Sequence, residues 1–238
     1  MDILNLTTFL LIGLALGYYA DCVGARLASF YENGEEVGPQ LSKKQGWLLF
    51  IRLNFEVKGK LRRTILSVTS GLLAILAYSV HGYSAELIVS LALLTMLIMI
   101  FTTDLLSMVI PNRVLLLFLP IFIVLRILEP LDPWWSAFAG GAIGYFIIFI
   151  IILVSRGGMG AGDMKLFGVL GIVLGWKEVL LAFFLACLFG AVIGLIMQMT
   201  GRTERKQAIP FGPYIVFGTL IAYFFGSPIL EFYGGFIG

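Results

Sequence analysis

The chain has 238 residues, of which 60% are hydrophobic and only 13% charged, and its mean hydropathy is +1.01. A water-soluble domain of this length needs far more polar surface, so the composition excludes one and points to an all-α, polytopic membrane protein embedded in a lipid bilayer. The net charge of +2 says little by itself, no nucleic-acid partner is expected, and two cysteines, Cys22 and Cys187, supply neither a Cys-x-x-Cys metal site nor a disulfide framework.

A membrane-spanning helix takes about 20 apolar residues. By that measure eight spans are predicted, at 3–21, 64–81, 86–103, 113–128, 136–154, 164–176, 178–199 and 209–227. The first begins near Leu4 with no basic residue ahead of it, and reads as a retained helix rather than a cleaved signal. The polar segment 22–63 follows. Within it, Val23 to Tyr31 reads as an amphipathic helix lying on the membrane. Glu32-Asn33-Gly34-Glu35-Glu36-Val37-Gly38-Pro39 reads as a turn-rich loop. Lys58-Gly59-Lys60-Leu61-Arg62-Arg63 reads as a basic cluster facing anionic lipid. This divides the chain into residues 1–63, a first helix plus a long cytoplasmic loop, and 64–238, a transmembrane bundle. The sixth span is short, which suits a helix that starts below the surface at a re-entrant Gly-rich loop.

The cations set the orientation. With the N-terminus outside, 14 of the 16 Lys and Arg residues fall on the cytoplasmic side, and only Arg126 and Lys177 fall outside. That bias follows the positive-inside rule and puts both termini outside. Trp47, Trp134, Trp135 and Trp176 sit near predicted interfaces and read as anchors, and the lone His81 as structural.

The topology brings two carboxylates to one face. Asp104 ends the third span in Thr102-Thr103-Asp104-Leu105-Leu106-Ser107-Met108-Val109-Ile110-Pro111-Asn112, and Asp163 opens the sixth in Gly160-Ala161-Gly162-Asp163. Either residue alone has a plain structural explanation. Asp is a favoured helix N-cap, and an interfacial Asp before a Pro-terminated turn is ordinary. Together they are more specific. An ionisable group at a membrane edge is costly and is by default a functional candidate. Two close carboxyls share a proton, so one takes a proton from water while the other polarises a carbonyl and donates to a leaving amine. The glycines of Gly157-Gly158-Met159-Gly160-Ala161-Gly162 let backbone approach a substrate closely. The dipole of its own helix favours the ionised form of Asp163 and disfavours that of Asp104, which predicts Asp163 as base and Asp104 as acid. Lys165 reads either as an interfacial anchor or as charge support for the pair. A third run, Ile209-Pro210-Phe211-Gly212-Pro213-Tyr214, opens the last span.

These three runs, in order, resemble the type IV prepilin peptidases, Gly-x-Gly-Asp aspartic proteases of the bacterial inner membrane, over about residues 85–220. The resemblance implies Asp104 and Asp163 as the catalytic pair, with Gly160, Gly162, Lys165, Pro111, Pro210, Phe211, Gly212 and Pro213 shaping the site or binding substrate. It implies a prepilin or pseudopilin substrate, cut at the cytoplasmic face after a Gly that precedes its hydrophobic stem, in type IV pilus, type II secretion or competence systems. Proteolysis then needs no cofactor and no metal. Many members also N-methylate the product with S-adenosylmethionine, and that cofactor is implied only if this chain is bifunctional. The N-terminal quarter departs from the pattern. It lacks the two Cys-x-x-Cys pairs of many members, and Gly17-Tyr18-Tyr19-Ala20-Asp21-Cys22-Val23 matches theirs only faintly. The presenilin-type proteases share Gly-x-Gly-Asp, but their first aspartate follows Tyr and here it follows Thr103. A small transporter or scaffold that uses paired carboxylates is the non-enzymatic alternative.

Overall fold

The computed structural model describes residues 3–32, 59–155, 159–200 and 210–237, with side chains as far as Phe232. Trp47, Gly157, Gly158, Ile209 and the greater part of the loop predicted within 22–63 lie outside the described residues. Among the described residues the chain forms eight helices and no strand. They are α1 (Ile3–Glu32), α2 (Gly59–His81), α3 (Ala85–Ser107), α4 (Asn112–Leu128), α5 (Ser136–Ser155), α6 (Ala161–Leu174), α7 (Trp176–Met199) and α8 (Gly212–Ile237). Six of them, all but α4 and α6, are long and apolar enough to cross a membrane. The protein is an all-α, multi-pass membrane protein.

Each predicted span has a helix in place, and the largest difference is at the start. α1 runs for 30 residues without a break, through the stretch Val23–Tyr31 that reads from sequence as a separate surface helix. The reason is Asp21. Its charge ends the apolar run in the sequence, but in the fold it is fully buried against Arg62 of α2. The helix therefore has no cause to stop there. The same contact corrects the reading of Arg62 as a lipid-facing cation.

Successive helices run in opposite directions. Gly13 of α1 meets Ser70, Gly71 and Ala74 of α2, while Gly17 meets Leu66, Ser67 and Ser70. Gly140 and Gly144 of α5 meet Gly171 and Phe167 of α6. The C-terminal ends of α1, α3, α5 and α7 thus share one end of the bundle with the N-terminal ends of α2, α4, α6 and α8. α3 is the central helix, with Leu93, Met96, Leu97 and Ile100 all buried. Among the largest buried side chains around it are Phe122 of α4, Ile148 of α5, Leu166, Phe167 and Leu170 of α6, and Ile215 of α8.

Lipid tails are as apolar as leucine, so water exclusion does not hold such helices together; close packing does. The small residues mark where backbones touch. A Cβ on Gly13 would lie 2.6 Å from the Ser70 carbonyl oxygen, and one on Gly140 would overlap the Gly171 carbonyl and stand 2.6 Å from Gly175. Gly168, on the same face of α6, has only ordinary contact with Tyr145 at 3.5 Å. Gly140→Ala is accordingly expected to cost about 1–3 kcal/mol by overpacking, and Gly168→Ala to be near neutral. Thermal unfolding of the two variants in one detergent checks this; equal melting temperatures would refute it.

Candidate active site

Asp104 lies one turn before the end of α3. Met108 adopts a left-handed conformation (φ 53°) and its N–H caps the Asp104 carbonyl at 2.9 Å, which stops the helix. The chain then runs extended through Pro111 into α4. Ile110, in this connection, is buried against Gly162, where a Cβ would stand 3.0 Å from the Ile110 Cβ. The bare backbone of Gly162 therefore lets the Asp104 connection lie against the start of α6. This is the direct packing between the two motifs.

Asp163 is the third residue of α6, not the residue before it, because the helix begins at Ala161 with Gly160 as its N-cap. Its Oδ2 reaches back and accepts a hydrogen bond from the Gly160 N–H at 3.1 Å. Asp163 is thus not an N-cap but the third-position partner of a capping box, a bond that uses one carboxyl oxygen. α6 is short, 14 residues or about 21 Å.

The third motif arrives from the other end of the sequence. Phe211 caps α8, accepting from the Tyr214 and Ile215 N–H groups, and Pro213 occupies the first turn, where its missing N–H costs nothing. The Gly212 N–H donates to Asp104 Oδ2 at 2.7 Å, across 108 residues of sequence. The contact leaves no room for a side chain: a Cβ on Gly212 would lie 2.6 Å from that oxygen and 2.8 Å from the Asp104 Cβ. Pro210 is buried beside it.

Both carboxyls lie at the same end of the bundle, linked by the packing of Ile110 on Gly162. Asp104 is 6% exposed and Asp163 8%. Each keeps one oxygen on a helix N-terminal N–H: Asp163 on its own helix, Asp104 on α8. This changes the basis for assigning acid and base. Asp104 is near the C-terminal end of α3, but the positive end of α8 faces it, so the dipoles no longer separate the two residues clearly. No pattern local to Asp104 announces this partner.

Of the other residues singled out by sequence, Pro111 starts α4, and Lys165 is exposed, donating to Asn112 Oδ1 at 3.0 Å rather than to either aspartate. Lys165 and Asn112 stand at the rim of an apolar groove of about 590 Å³ between α4, α5 and α6, with Gly141, Gly168 and Phe146 among its lining.

Two buried ionic clusters escaped the sequence reading. Near the site end, Asp21 accepts from Arg62 Nε (2.8 Å) and Nη2 (3.1 Å) and from the Thr102 hydroxyl (3.1 Å), two residues before Asp104. At the far end, Arg126 pairs with Glu86. The signal was available: Asp21, Glu86 and Arg126 sit in or beside apolar spans, where a charge needs a partner.

Comparison with known proteins agrees with the motifs. Residues 91–195, which hold both aspartates, match the type IV leader peptidase family. A prepilin leader peptidase/N-methyltransferase of Bacillus subtilis (strain 168) is 41% identical over 152 residues, 64% of this chain and 61% of that protein. Proteins of the same name from Legionella pneumophila and Burkholderia pseudomallei (strain 1026b) are 31% and 28% identical, over 65% and 73% of this chain and 56% and 58% of theirs. The chain thus spans less than two thirds of the length of these relatives. No solved structure matches it.

Proposed function

We propose that this chain, whose residues 91–195 carry the type IV leader peptidase region, is an aspartic endopeptidase that cuts the leaders of prepilin-like substrates at the cytoplasmic face of a bacterial inner membrane. The observation that carries the reading is the pair of buried carboxyls, Asp104 and Asp163, on two helices at one end of an apolar bundle. Carboxylates that relay ions are expected in mid-bilayer, which favours the enzyme over the transporter. The positive-inside bias supports the cytoplasmic assignment and external termini.

The chemistry needs only the two side chains and a water. The ionised carboxylate takes a proton from water as the oxygen attacks the scissile carbonyl carbon. The protonated carboxyl hydrogen-bonds the carbonyl oxygen, then gives its proton to the leaving amine as the C–N bond breaks. The pair ends with its proton transferred from one aspartate to the other, ready to re-equilibrate with solvent. The Gly212 and Gly160 N–H bonds leave one oxygen of each carboxyl uncommitted to them. The substrate class is a protein with a hydrophobic stem helix, which reaches the site by lateral movement in the bilayer, with its scissile bond at the membrane edge. Pro210, Phe211, Pro213, Gly160, Gly162 and Pro111 shape that edge. Methyl transfer from S-adenosylmethionine to the new N-terminus joins this reading only if the chain is bifunctional, as the printed name of its relatives says of them.

The test is leader removal from a prepilin encoded in the same genome, read by intact mass with purified wild type, Asp104→Asn and Asp163→Asn. Cleavage by the wild type alone is expected; equal cleavage by all three would remove the aspartates from the mechanism. Added S-adenosylmethionine reads methylation as the mass of one methyl group. In the same assay Gly212→Ala is expected to lower kcat/KM by at least about tenfold, since a misplacement of order 1 Å can cost about a hundredfold. Gly160→Ala meets only the tip of Asp163, at 3.2 Å, and is expected to lose less. The reverse order would contradict the placement of Asp104 against α8.

A further inference from the structure

The two helices that carry the aspartates, α3 and α6, scarcely approach one another along their backbones. Their relative axial position must be set through something else. At the end of the bundle remote from the site, one side chain joins them. Arg126 of α4 is 7% exposed. Its Nη1 and Nη2 donate to the two carboxylate oxygens of Glu86 on α3, at 2.6 and 3.0 Å. Its Nε and Nη2 donate to the Val173 carbonyl on α6, at 3.0 and 2.6 Å. Tyr223 of α8 completes the cluster, donating to Glu86 Oε1 at 2.7 Å and meeting the Ser90 hydroxyl at 2.8 Å.

The reason for an arginine here lies in the length of α6. Val173 is one residue from the end of a 14-residue helix, followed by Gly175 with φ +90° and then α7. A helix leaves its last carbonyls without N–H partners, and this one ends inside the bundle, with Val173 fully buried. A guanidinium satisfies that carbonyl and favours the negative helix end. Its fork still has two parallel donors for a carboxylate, which a lysine does not offer. Glu86 neutralises it.

We infer that Arg126, with Glu86, is a positioning residue for the carboxyl pair: it fixes the axial register of α3 against α6, and through α3 and α6 the placement of Asp104 against Asp163. This rests on the peptidase reading, so the test has one readout that depends on cleavage and one that does not. Arg126→Met alone leaves a half-buried Glu86 without its partner and can fail to fold. The informative variants are Arg126→Lys, which keeps the charge but not the fork, and Glu86→Gln/Arg126→Met, which removes both charges. Both are expected to melt within a few degrees of the parent and to lose at least tenfold in kcat with KM little changed. In a cysteine-free background, spin labels at Ser107→Cys and Ala161→Cys report the α3–α6 spacing by dipolar broadening, and both variants are expected to widen the distance distribution. Folded variants that cleave within twofold of the parent, or a full rescue by Arg126→Lys, would overturn the inference. If the parent cleaves no prepilin, the function reading fails, and the spin-label distribution decides the register alone: unchanged in both variants, it overturns the inference.

Discussion

One backbone N–H, that of Gly212, holds Asp104 in place, and the rest of the site is arranged around the consequences. A buried carboxyl in an apolar bundle must have a hydrogen-bond donor or it is costly. The donor comes from the first turn of α8, where N–H groups have no partner within the helix. The bond therefore satisfies both parties. It also demands that α8 begin at the level where α3 ends, that residue 212 lack a side chain, and that Pro213 lie in the first helical turn without loss of a needed donor. The Pro-Phe-Gly-Pro run is the sequence form of those three demands.

Asp163 meets the same requirement by a local route, folding back on Gly160 within its own first turn. The two carboxyls are thus anchored independently, one across the bundle and one along the chain. What brings them together is the extended stretch after Met108, whose Ile110 lies on Gly162. Glycines act here in two ways. Gly160 and Gly162 make room for side chains at the site, while Gly140 and Gly171 let α5 and α6 meet backbone to backbone. The second role matters because α6 is short: a helix of about four turns has little surface with which to hold its place, and close approach gives each residue more contact.

The number and order of the helices were legible in the sequence, because runs of apolar residues and the placement of Lys and Arg are one-dimensional signals. Both aspartates and the Pro-Phe-Gly-Pro run were legible for the same reason. What was not legible is pairing. Asp21 read as the end of a span and Arg62 as a lipid-facing cation, because periodicity assigns a charge to a boundary unless its partner is known, and the partner lies 41 residues away. The boundary of α1 failed with it. The dipole argument for acid and base was incomplete in the same way: it used the helix each aspartate belongs to and not α8, which Asp104 faces. Arg126 was counted only as an outward cation, although it is buried.

The ion pairs and the carboxyl pair obey one rule with opposite results. Asp21 and Glu86 are each matched by a guanidinium with two-point geometry. Among the described residues Asp104 and Asp163 each accept from a single backbone N–H. Two carboxyls at one end of the bundle repel in a medium of low dielectric when both are charged, a constraint that neither ion pair faces. An arginine as near to either aspartate as Arg62 is to Asp21 would fix that carboxylate as a permanent anion and end its capacity to exchange a proton. The one cation close by in sequence, Lys165, is turned instead to Asn112 at the exposed rim. Among the described residues neither Asp104 nor Asp163 pairs with a cation, whereas Asp21 and Glu86 each pair with an arginine.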